Sequence, residues 1–167
     1  MSAVSLDQER QVPCPCAAVV VAHPDDETLW CGGYILAHPE FHWRVVTLCR
    51  ASDPDRAPKF GRVLQRLRAV GEMADLDDEP DQVPLAIGQI QATITRLLTG
   101  NSYSLILTHG PHGEYTRHRR HEECCPWVAI PIATRRIAKR PLGRGLRGRG
   151  RGCVKGAIRV AKSSSGC

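Results

Sequence analysis

At 167 residues the chain has the length of one ordinary domain, which excludes a second full one. Its composition is globular, with 42% apolar residues, yet 5% aromatics leaves few large side chains to anchor a core. The net charge of +6 does not by itself point to nucleic acid: residues 1–123 carry 12 Lys and Arg against all 17 Asp and Glu, a net of −5, and the 11 basic residues of 124–167 face no acid at all.

In chain order, the first element is Ala-Ala-Val-Val-Val-Ala at 17–22, a β-branched apolar run suited to a strand buried on both faces. Leu29, Ile35 and Leu36 then predict a helix over 27–37, weakened by Gly32 and Gly33. A second strand is expected over 43–49, followed by a loop at 51–58 that holds two prolines and two aspartates. Phe60, Val63, Leu64, Leu67 and Val70 recur with helical period, and Ile87, Ile90, Ile94, Leu97 and Leu98 repeat it up to Gly100, a helix stop. Between these helices the acidic stretch 75–81 lacks the Gly and Glu of a calcium loop and reads as a solvated turn. A further strand is expected at 105–108. Strands alternating with helices predict an α/β domain with a mainly parallel sheet. Ligands of such sheets bind beyond the carboxyl ends of the strands, which directs attention to His23 and to the segment from His109 onward.

From Cys124 the periodicity disappears into Pro, Arg and Gly, a composition that cannot bury enough apolar surface to offset ordering and predicts a disordered tail. Eight cysteines without a secretory signal read as reduced thiols, among them Cys14, Cys16, Cys124 and Cys125, none in a zinc-binding C-x-x-C spacing. No stretch approaches the roughly 20 apolar residues of a membrane helix. These features predict a soluble cytoplasmic protein with no membrane span.

The chemistry concentrates at two places. His23, Asp25 and Asp26 lie within four residues, and adjacent carboxylates repel unless a cation compensates them. Imidazole with carboxylate is an ordinary zinc set, and catalytic zinc takes three protein ligands, so a third must come from elsewhere. The second place is 109–121, with four histidines. There His118 and His121 stand one helical turn apart, so one can bind a metal while the other acts on substrate. His109 and His112 read as loop residues, and His38 and His42 as surface ones.

Ala22-His-Pro-Asp-Asp-Glu27 resembles the AHPDD(E) signature of the PIG-L/LmbE-like N-deacetylases, and His118-x-x-His121 resembles their second, HxDH-type motif. The similarity runs over about residues 18–123. It implies a Rossmann-like three-layer α/β/α fold with lead-in 1–16, deacetylase domain 17–123 and basic tail 124–167. It implies further that His23, Asp26 and His121 hold Zn2+ or another divalent ion, that Asp25 is the general base, and that His118 stabilises the oxyanion or protonates the leaving amine. Arg50, on its position, and Tyr115, on the resemblance, are expected at the substrate, an N-acetylglucosamine-type sugar conjugate. The chain departs from the family pattern at Arg120, where a carboxylate partner of His118 is usual; Glu114, Glu122 and Glu123 are candidate replacements. It also departs where the tail replaces the family's further sheet and helices, so that the domain reads as C-terminally truncated, with a tail resembling a frame-shifted GC-rich reading. Two rival expectations follow: an inactive or frame-shifted fragment, and a nonspecific nucleic-acid binder acting through the tail. The second lacks aromatic stacking residues between Arg135 and Cys167.

Overall fold

Ala17, Ala18, Val19 and Val20 are each 0% exposed, as an unbroken apolar run must be once strands flank it and helices cover it. Their strand, β1 (Cys16–Val21), is paired in parallel with β2 (His42–Thr47) on one edge and β4 (Tyr103–Thr108) on the other. In the computed structural model, which describes residues 14–98, 100–114, 117–128 and 159–162, β3 (Val70–Met73) joins β2 in parallel and β5 (Arg159–Lys162) joins β4 antiparallel. The strand order is β3-β2-β1-β4-β5. The fold is therefore mixed α/β around four parallel strands, as the alternation of elements predicts.

Strand parity divides the core, because successive side chains point to opposite faces. Ala17, Val19, Val21, Val45, Leu105 and Leu107 cluster with Cys31, with Ile35 of α1 (Gly32–Ala37), and with Phe60 and Leu67 of α2 (Arg56–Leu67). Ala18, Val20, Ala22, Val46 and Ile106 cluster instead with Ile90, Ile94 and Leu97 of α3 (Ile87–Leu98) and with Cys124 of α4 (Arg119–Val128). Each fully buried Val, Leu or Ile contributes roughly 1.5–3 kcal/mol, so these two clusters carry most of the stabilisation.

Four details differ from the sequence-based expectation. The helix expected over 27–37 is split: a π-helical turn at Glu27–Cys31 precedes α1, with the glycine pair at the junction. α2 ends earlier than its apolar stripe, because Arg68 adopts a left-handed φ of 53° and releases Val70 into β3. That strand is hidden in sequence by Gly71, yet the glycine is required there, since a Cβ would collide with the carbonyl oxygen of Val45. α4 crosses the expected boundary at 123/124, because Cys124 and Cys125 are buried core residues rather than tail. Disorder, expected for the whole tail from Cys124, does not hold for 124–128 or for β5, and the remainder of that expectation lies outside the described residues. Among the described residues no helix is long and apolar enough to cross a membrane.

Candidate metal centre

The carboxyl ends of β1 and β4 lie side by side, so the residues that follow them, His23 and His109, meet at one rim of the sheet. After His23 the chain turns through Pro24, and the carboxylate of Asp26 folds back to accept the His23 backbone N–H at 2.8 Å. This bond reaches back three residues along the chain and closes the turn on itself. It also brings Asp26 Oδ2 to 3.3 Å from His23 Nδ1. α4 delivers His121 to the same point, with Nε2 3.2 Å from His23 Nδ1 and 3.4 Å from Asp26 Oδ2.

Those three atoms form a nearly equilateral triangle. Ligand atoms about 2.0–2.1 Å from a tetrahedral ion stand about 3.3 Å apart, which is the spacing of this triangle. The donor set of two imidazoles and a carboxylate is borderline-soft and suits zinc. The structure thus brings His23, Asp26 and His121 together on one point, and the residues fit an ion there. Three other groupings overlap it: Asp26 with His109 and His121, His23 with His118 and His121, and His23 with Cys49 and Asp78.

Burial by itself would raise the pKa of Asp26, but the imidazoles of His109, His23 and His121 beside its carboxylate hold it far below the usual carboxylate range. It is therefore a carboxylate at any working pH. Asp25 behaves oppositely: burial and the charge of Asp26 push its pKa up, with Arg56, 3.6 Å away, opposing them. Asp25, His23, Arg50, Arg56, Asp78 and His118 line a crevice of about 280 Å3 that opens beside the triangle.

His118 is held by Gln82. Gln82 Oε1 accepts the Arg119 backbone N–H at 3.2 Å, which fixes the amide so that its Nε2 donates to His118 Nε2 at 2.8 Å. The His118 proton is then on Nδ1, a buried atom with no hydrogen-bond partner. Burial, followed by the charge of His23, lowers the pKa of His118 below its ordinary value. The expected carboxylate replacements serve other partners: Glu114 bonds His109 and His121, Glu122 bonds Arg117, and Glu123 bonds Arg120.

Two further residues are placed differently from the sequence reading. His109 is a buried member of the rim rather than a loop residue; its Nε2 lies 3.3 Å from Asp26 Oδ2 and accepts the Ala22 N–H at 3.0 Å. Its position directly after a parallel strand, like that of His23, was the available signal. Asp78, in the acidic stretch read as solvated, has a side chain only 8% exposed, with Oδ1 3.2 Å from His23 Nε2. Arg50 lines the crevice, but its guanidinium is engaged by Asp78 at 2.6 Å, and its φ of 72° places it in the left-handed region. Tyr115 lies outside the described residues.

Arg120, where the resemblance leads to the expectation of a carboxylate, is 2% exposed. It pairs with Glu123 at 2.7 Å and Asp77 at 3.1 Å and donates to the Val83 carbonyl at 2.9 Å. A guanidinium with these partners clamps α4 to the 77–83 segment that carries Asp78 and Gln82.

Compared with family models, curated proteins and solved structures, the chain matches none.

Proposed function

We propose that this chain is a zinc-dependent N-deacetylase of the PIG-L/LmbE type, on a Rossmann-like three-layer fold, acting on an N-acetylglucosamine-type conjugate. The observation that carries the reading is the triangle of His23 Nδ1, Asp26 Oδ2 and His121 Nε2, with edges of 3.2–3.4 Å. A zinc ion held by these residues supplies Lewis-acid polarisation of an amide carbonyl and acidifies water toward a pKa of about 7.

The chain's own residues do the rest. Asp25, exposed at the crevice, accepts a proton from the attacking water. The same proton passes to the amide nitrogen as its bond to the acetyl carbon breaks, giving acetate and a free amine. His118 offers the unpartnered Nδ1–H to the carbonyl oxygen as charge develops there. Arg50 and Arg56 stand on the crevice wall, within reach of sugar hydroxyls.

The test is the metal content of the purified chain. About one zinc per chain is expected, and none in His121→Ala, followed by release of acetate from N-acetyl sugars. A wild-type chain that takes up no zinc when supplied with it overturns the reading.

A further inference from the structure

Resting on that reading, we propose that Glu114 is the positioning residue of the centre: its single carboxylate grips Nδ1 of both His121 and His109, making the first a ligand and the second a structural strut. The side chain of Glu114 is 4% exposed, with Oε1 2.6 Å from His109 Nδ1 and Oε2 2.7 Å from His121 Nδ1. The loop that returns it to the rim closes with the Gly113 N–H on the Gly110 carbonyl at 3.2 Å, and Gly113 has the positive φ of 72° that suits glycine.

The argument is one of donors and acceptors. An ionised carboxylate only accepts, so both Nδ1 atoms must carry hydrogen. Both Nε2 atoms then present lone pairs. That of His109 is already met by the Ala22 N–H at 3.0 Å, which ties the ring to the end of β1. That of His121 has no such N–H and faces His23 Nδ1 and Asp26 Oδ2. Two rings stacked at 4.0 Å and 9° therefore have different duties, although each is chemically able to bind a metal. A ligand imidazole whose far nitrogen is bound by a carboxylate is oriented and made more basic, and loss of such a partner typically weakens metal binding about 10- to 100-fold.

Glu114→Gln separates the carboxylate's role from its bulk, because an amide accepts at one end only and can serve one of the two Nδ1–H groups. The first readout needs no metal: long-range 15N–1H spectra of the histidine rings in the full chain, at a pH where the rings are neutral. Wild type is expected to show Nδ1–H forms for both His109 and His121, and the variant to lose this form in one of them. An Nε2–H form of His121 in the wild type overturns the proposal. The second readout is zinc affinity by competition with a chromophoric chelator, with about a 10- to 100-fold loss expected in Glu114→Gln and partial recovery in Glu114→Asp. Equal affinity in wild type and Glu114→Gln sinks the positioning role while leaving the deacetylase reading intact. A wild type that binds no zinc sinks that reading, and the ring spectra still decide the role of Glu114. Should the Gln variant not fold, the wild-type ring spectra decide alone.

Discussion

Within seven residues of β1 the chain passes from Val19 and Val20, enclosed by aliphatic side chains, to His23 and Asp26, which are nearly as buried but enclosed by ionisable groups. In the body of the sheet the neighbours are interchangeable in kind, and what matters is that volume is filled. At the rim each polar atom depends on a particular partner, and several partners come from segments far away in sequence: His109, Glu114, His121 and Asp78. The body holds the strands together under any condition that keeps the chain folded. The rim holds its shape only while each donor meets its acceptor.

This difference can be broken from either side. The largest effect is expected at the rim in function: Asp25→Ala should lower turnover by about 100- to 10,000-fold with zinc content unchanged, because Asp25 is not in the triangle. Assay and metal analysis on the same preparation check it, and unchanged turnover removes Asp25 as the base. In the body, Ile94→Ala removes a wholly buried side chain beneath β1 and should lower unfolding stability by about 2–5 kcal/mol by chemical denaturation. The folded fraction should still bind zinc with wild-type affinity.

Arg120→Met lies between the two regions. It keeps the bulk but leaves Glu123 and Asp77 without their cation, and since those carboxylates are partly exposed the expected loss is about 2–3 kcal/mol. Unlike Ile94→Ala, it should also weaken zinc binding, because the clamp positions Asp78 against His23.

The smallest effect is a pH dependence in the metal-free chain. The folded-state pKa of Asp26 is depressed, so its stabilisation is fully present above the ordinary carboxylate range and is lost as pH falls through the folded value. The stability difference between wild type and Asp26→Asn should therefore shrink as pH drops below about 4, whereas that between wild type and Ile94→Ala should stay constant. Parallel pH series of denaturant unfolding distinguish them. A constant difference for Asp26→Asn would mean that the carboxylate is not held by its imidazole partners.

What was legible in the sequence follows the same division. The body could be read because its signals are local: the valines of β1 and the helical stripe of α3 need no knowledge of distant residues. His23 and Asp26 could be read for the same reason, since the turn that joins them is four residues long. Asp78 could not, because nothing in a four-residue window says that it reaches His23; the place of His109 after β4 pointed to the rim, but not to its bond with the backbone of Ala22, 87 positions earlier. β3 escaped because Val70 completes a helical stripe and Gly71 is a poor strand former; the left-handed turn at Arg68 decides between them. The cut at 123/124 failed because proline and basic residues beyond it mask two cysteines that pack inward from α4.

His23 and His121 touch across 98 positions of chain. An ion shared between them would close the chain from the end of β1 to α4 into a single loop, acting as a cross-link whose effect falls mainly on the unfolded chain. By the chain-entropy model a permanent link around a loop of about 100 residues stabilises by about 4.7 kcal/mol. A link made by a bound ion would be reversible, so on the proposed reading the free concentration of the ion would set how long the chain stays looped, and a chelator would open the loop without breaking a covalent bond.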